Sequence, residues 1–143
     1  MKRNGKFLLL TVIVFLFLNI PSQATVADEL EILRQRFIAD QMAPAVKETQ
    51  VSELASAIQS DGTWADINYI DVSRTGFQHG NHLRNMVEMA RAYKKKGTKL
   101  KGDPKLKKAI NNALEYWLAN DFICENWWWN QIGTPNALIS FLL

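Results

Sequence analysis

The stretch "ENWWWNQIGTP", residues 125–135, sets three tryptophans in consecutive positions and follows them with amides and a Gly-Thr-Pro sequence. Indole faces are flat and apolar and suit the axial C–H faces of sugar rings. Asn126, Asn130 and Gln131 carry both donors and acceptors, so they can reach hydroxyls or carboxylates beside such a face. If Trp127, Trp128 and Trp129 lay on a helix, successive side chains would diverge by about 100°, so at most two could enter one core. At least one indole turns elsewhere, and an exposed indole is costly unless a ligand covers it. The competing use is packing between helices, with the amides capping backbone groups.

Other candidates are weaker. "HGNH" places His79 and His82 three apart at a helix start. It lacks the HExxH pattern and a third ligand, so a structural or capping role is expected, with no metal and no cofactor. Arg74 in "DVSRTGF" can grip a carboxylate with two parallel hydrogen bonds, or pair with Asp66 or Asp71. Cys124 is the sole cysteine; beside Phe122, Ile123 and Trp127 it reads as a buried, unreactive thiol, and no disulfide framework supports the fold. No nucleophile elbow, Walker loop or dinucleotide fingerprint occurs.

Charge must be read after setting the first residues aside. Lys2, Arg3 and Lys6 precede the apolar run Phe7 to Ile20, and Pro21 and "SQA" follow it. This is the pattern of a signal peptide over residues 1–24, cut near Ala24, and it implies a secreted or periplasmic protein. The run of about 14 residues is shorter than the roughly 17 to 25 that span a bilayer, so no stable membrane anchor is expected after cleavage. The chain has 17 basic and 14 acidic residues; without the three leader cations the two balance. The high isoelectric point therefore gives no support to nucleic-acid binding. The balance is uneven, however: residues 94–108, "KKKGTKLKGDPKLKK", hold eight lysines and one aspartate. A solvated loop and helix start explains them, and contact with an acidic polymer is the alternative.

The elements around these residues read as helices. Leu30, Leu33 and Phe37 follow Asp28 and Glu29 at helical spacing, and Pro44 ends that run. Val51, Leu54, Ala55 and Ile58 give a second helix that stops at Asp61-Gly62. Residues 61–80 lack a period but are too aromatic for disorder, which predicts an ordered irregular segment. Leu83, Met86, Val87, Ala90 and Tyr93 restore a stripe that the lysine stretch closes. Asp103-Pro104 starts the next helix, with Leu106, Ile110, Ala113, Leu114, Trp117 and Leu118 on one face. Thr134-Pro135 repeats that start signal, placing the tryptophans on a turn before a last helix. That helix runs apolar to Leu143 with no polar stop, which predicts neighbouring layers beyond it. The fold class is all-α, with stacked helical hairpins that form a bundle, a solenoid or a closed ring.

"DGTWADINYIDVSRTGFQHGNHLRNMVEMARAY", followed some thirty residues on by "NWWWNQIGTPNAL", resembles the N-terminal region of the polysaccharide lyase family 8 enzymes, the chondroitin AC lyases and hyaluronate lyases. The resemblance covers most of residues 25–143 and is most specific at the "NWW" and "IGTP" elements. It implies the first helical hairpins of an incomplete (α/α) toroid, with the rest of the toroid and a β-sandwich region lying beyond this segment. It also implies that Trp127 and Trp128 form an aromatic patch in the substrate cleft with Asn126 beside them. Trp129 stands where relatives often have a polar or another aromatic residue, and Gln131 where they often have glutamate.

The implied partner is an acidic polysaccharide of chondroitin or hyaluronan type, bound by a monomer. The implied chemistry is β-elimination: a base removes the C5 proton of a uronic acid, a polar group stabilises charge on its carboxylate, and an acid protonates the departing glycosidic oxygen. In the family an asparagine, a histidine, a tyrosine and an arginine further along the chain take these roles, and no residue up to 143 matches them. Two other readings stand beside this one. An inverting (α/α) glycoside hydrolase would use two carboxylates, locally Asp66 and Asp71; a helical module would bind sugars without catalysis.

Overall fold

The computed structural model describes residues 25–143; the leader expected over residues 1–24 lies outside the described residues. Five α-helices and no strand occur among the described residues: α1 (Val26–Met42), α2 (Glu48–Ala57), α3 (His79–Lys94), α4 (Pro104–Asn120) and α5 (Thr134–Leu142). None of these helices is long and apolar enough to cross a membrane. The chain divides into two units, one ending at Gln35 and one running from Arg36 to Leu143.

In the first unit, the start of α1 is a reciprocal cap. The Thr25 backbone N–H donates to Asp28 Oδ2 at 2.9 Å, and the Asp28 N–H donates to Thr25 Oγ1 at 3.3 Å. Two otherwise orphaned donors are thereby satisfied. The Thr25 backbone N–H and then the Thr25 hydroxyl, both donating to Asp28 Oδ2, hold that carboxyl below its ordinary pKa.

In the second unit, the C-terminal carbonyls of α1 and the turn after it are held by two cations at the end of α3, Arg91 in its last turn and Lys95 at its C-cap. Arg91 donates from Nε to Gln41 O at 2.8 Å and from Nη2 to Pro44 O at 3.0 Å. Lys95 Nζ donates to Pro44 O at 2.7 Å and also to Met42 O. A positive charge at a helix C-terminus meets both the unpaired carbonyls and the dipole, which accounts for Arg91 being buried.

Helix α3 is the central element and packs on α2, α4 and α5. It buries Leu83, Met86, Met89 and Ala92 against Val51 of α2 and against Leu106, Ile110, Ala113 and Trp117 of α4. Leu118, expected on that stripe, is 66% exposed. Its position falls one residue beyond Trp117 and so rotates off the buried face. The start of α4 follows its sequence signal: Asp103 Oδ1 accepts from the Leu106 N–H at 2.8 Å, with proline in the first turn.

Helix α2 ends at Ala57, before the expected stop at Asp61-Gly62. Ile58 turns extended and forms an isolated antiparallel bridge with Trp64. The turn between them needs Gly62, which has φ 90° and lies so close to the Asn112 carbonyl that a Cβ would collide with it. The bridge delivers Trp64 into the core, where its Nε1–H donates to Leu54 O at 3.0 Å.

Candidate functional site

The α-helical part of the last element, α5, begins at Thr134 as its sequence predicted, but helical backbone already runs into it from the tryptophans. Helical backbone starts at Trp127, passes through a π-helical turn over Trp129–Gly133, and continues as α5. Asn126 caps this start: its Oδ1 accepts from the Trp128 N–H at 3.1 Å. Thr134 makes no side-chain cap, and its N–H donates to Trp129 O, five residues back. Proline inside an α-helix lacks an N–H and crowds the carbonyl four residues before it. Widening the helix by one residue just ahead of Pro135 relieves that clash. The Gly-Thr-Pro sequence is therefore a bulge within a helix.

This backbone separates the three indoles. Trp129 points inward, its ring 5.6 Å from that of Phe77 and packed against the core. It fits only because its neighbours lack side chains: a Cβ on Gly80, in the first turn of α3, or on Gly133, one turn along its own helix, would strike the indole. Trp128 meets Trp129 edge-on, with ring centroids 5.1 Å apart and planes at 82°. Trp127 and Trp128 are left 56% and 43% exposed, large for residues of this size on an ordered helix.

Around them the amides are partly committed. Asn126 Nδ2 donates to Arg74 O at 3.2 Å, and the Glu125 N–H donates to Val72 O at 2.9 Å, so the loop carrying Arg74 is laced to the tryptophan segment. Asn130 clamps the Cys124 backbone, accepting from its N–H at 3.0 Å and donating to its carbonyl at 2.7 Å. Cys124 is buried and free, as its apolar neighbours led us to expect. Gln131 is exposed and makes no side-chain hydrogen bond to the described residues. Arg74 is exposed too. Among the described residues the ion pairs are Arg34–Glu31 and Arg91–Glu88, so the guanidinium of Arg74 pairs with neither Asp66 nor Asp71.

Asp71 instead folds its own loop. Its Oδ1 accepts from the Ser73 N–H at 3.0 Å, and its carboxylate lies where a Cβ on Gly76 would be. Hydrogen bonds from Ser73 hold its pKa below the ordinary value. A general acid needs the opposite shift.

Both histidines are fully buried. His82 Nε2 lies 3.0 Å from Ala113 O and its Nδ1 3.0 Å from Tyr69 Oη. A carbonyl only accepts, so Nε2 carries the proton and Nδ1 receives the Tyr69 hydroxyl. Tyr69 Oη in turn accepts from the Trp64 N–H at 3.2 Å. His79 Nε2 donates to Tyr69 O at 3.0 Å, with its ring stacked on Phe77. Burial lowers the pKa of both imidazoles, that of His82 to about 4, and raises Tyr69 to about 12. No group of three or more metal-ligating side chains gathers among the described residues. These rings form a neutral core network that reaches Trp129 through Phe77, with His79 Nδ1 buried and without a partner among the described residues, and sequence spacing gave no sign of the 31-residue link from His82 to Ala113.

Residues 26–143 match the polysaccharide lyase family 8 N-terminal alpha-helical domain. The chain belongs to polysaccharide lyase family 8. Among family 8 proteins, the chondroitinase-AC of Pedobacter heparinus is 33% identical over a 141-residue alignment that covers 96% of this chain and 20% of that protein. A chondroitinase AC lyase solved in complexes with oligosaccharides superposes with a TM-score of 0.67 at 29% identity, over 75% of this chain and 16% of that one. The chain thus spans 20% of the length of the curated family 8 relative it matches. The all-α expectation agrees with this family 8 helical domain.

Proposed function

We propose that this chain supplies part of the substrate cleft of a secreted polysaccharide lyase that cleaves uronic-acid-containing glycosaminoglycans by β-elimination. In that reaction the C5–H bond of the uronate gives up its proton to a base. The electron pair forms the C4–C5 double bond, and the C4–O bond breaks with protonation of the leaving oxygen. The observation that supports the reading best is the pair of exposed indoles, Trp127 and Trp128, turned outward on a capped, π-bulged helix whose third indole is anchored in the core. Two adjacent flat faces offer stacking for successive sugar rings, and the unpaired Arg74 and Gln131 offer groups for carboxylates and hydroxyls. Asn126 contributes by capping the helix that presents the indoles and by holding the Arg74 loop. The kinship with a chondroitinase AC lyase solved in complexes with oligosaccharides is consistent with this substrate class.

No proton-transfer role falls to the local histidines and Tyr69. Both imidazoles are fully buried, and every hydrogen-bonded ring nitrogen and the Tyr69 hydroxyl serve the core. The 143-residue chain alone is therefore expected to bind and not to turn over. Replacing Trp127 and Trp128 by alanine should weaken chondroitin binding by about 1–3 kcal/mol each, taking stacking of bases on aromatics as the guide. Calorimetry on the chain measures the affinity. Unchanged affinity in both variants sinks the stacking role, and unsaturated uronate product released by the chain alone sinks the assignment of catalysis elsewhere.

A further inference from the structure

The lysine-rich segment is unexplained by the sugar-stacking site. Of its eight lysines between 94 and 108, Lys95 is spent on the carbonyls after α1, and the other seven are exposed. None of the eight forms an ion pair with a described residue. The acids close by are engaged: Asp103 caps α4, and Glu48 Oε1 accepts the Lys99 backbone N–H at 3.1 Å. The loop is nonetheless well built. Gly97 and Gly102 take positive φ, Gly102 N–H donates to Tyr93 O at 3.0 Å, and Thr98 Oγ1 donates to Ala92 O at 3.1 Å. Lys105, Lys107 and Lys108 then occupy the first turns of α4, where the helix dipole favours acids and the acid at that end is the Asp103 cap, itself spent on the Leu106 N–H. An ordered surface that gathers like charges against both mutual repulsion and the dipole departs from local stability rules, and such departures concentrate at functional surfaces.

We propose that this lysine surface is a second contact for the acidic polysaccharide, remote from the tryptophans and acting through charge. The inference rests on the proposed substrate class. Trp129 touches Gly80 at the start of α3, and the lysines begin at Lys94 at its end, so the near edges of the two sites lie roughly 21 Å apart along the helix axis by the rise from Gly80 to Lys94. Only a polymer long enough to bridge that distance senses both contacts. Bridging makes the second contact effectively intramolecular, which raises affinity for long chains and leaves short ones untouched.

The test compares the chain with its K101Q/K105Q/K108Q and W127A/W128A variants, checked for folding by circular dichroism. Probes are long chondroitin sulfate, a chondroitin tetrasaccharide and a DNA duplex, each titrated over a range of salt. We expect the lysine variant to lose about tenfold in affinity for the long polymer at low salt, with a shallower salt dependence, and to bind the tetrasaccharide unchanged. An unchanged affinity and salt slope for the long polymer overturns the lysine contact while leaving the stacking reading intact if the tryptophan variant is weakened. Tryptophan variants that bind both saccharides normally overturn the stacking reading independently. DNA bound as tightly as chondroitin sulfate, and lost equally in the lysine variant, overturns the polysaccharide as the partner of this surface.

Discussion

At the scale of single residues, three identical side chains in a row have two different jobs, and the backbone decides which is which. Trp129 is packed against Phe77 and admitted by Gly80 and Gly133, whereas Trp127 is more than half exposed. Trp129→Ala is therefore expected to destabilise the chain by about 3 kcal/mol, the low end for buried aromatics because the indole is only partly enclosed. Trp127→Ala should stay within about 0.5 kcal/mol. Urea titration of both variants measures the difference, and equal losses would return Trp127 to the core. That one indole had to leave the core was legible from helical geometry alone. Which one was not legible, because the answer lies in two glycines, one of them 49 positions earlier in the chain, whose missing side chains shape the slot.

At the scale of elements, the helices with clear stripes and caps were readable and the last one was not. Asp103-Pro104 is a local signal, complete within one turn, and the structure uses it as read. Asp103→Ala should cost about 1 kcal/mol by thermal unfolding, within the range for lost N-caps. Asp103→Asn should recover most of it, since the amide oxygen still accepts; an equal loss in both variants would show that the charge among the lysines matters more than the hydrogen bond. Thr134-Pro135 has the same appearance and a different meaning. Asn126 already supplies the cap, so Pro135 falls inside a helix, and the π-turn absorbs it. Proline and glycine report only that regular α-geometry cannot continue unchanged. They do not distinguish a break from a bulge. The irregular segment over 61–80 was expected to be ordered, and part of its order comes from bonds to residues some fifty positions away, Val72 to Glu125 and Arg74 to Asn126, that no local window contains.

At the scale of the whole molecule, the two histidines tie the irregular segment, α3 and α4 into one core, and this makes folding sensitive to acid. Desolvation holds His82 neutral down to about 4, against an ordinary value of 6.5, and lowers His79 as well. Between those values the unfolded chain binds protons that the folded chain refuses, so stability is complete above 6.5 and declines as pH falls toward 4. For His82 the full span corresponds to a loss on the order of 3 kcal/mol. The carboxylates with lowered pKa, Asp28, Glu31, Asp61 and Asp71, pull in the same direction only near and below their ordinary values of 3.8 to 4.5. The interval from pH 6.5 to about 5 therefore belongs to the histidines. Thermal melts across that interval should show a steady fall in Tm, and proton-detected titration of the His82 ring should show it neutral throughout. A Tm that holds constant from pH 7 to 5, or a His82 ring that titrates near 6.5 in the folded chain, would contradict the buried neutral pair. Because Trp129 rests on Phe77, and Phe77 on the His79 ring, the same loss of packing should loosen the indoles that face outward. Saccharide binding is then expected to fail over the same acid range as folding, with no separate titration of its own.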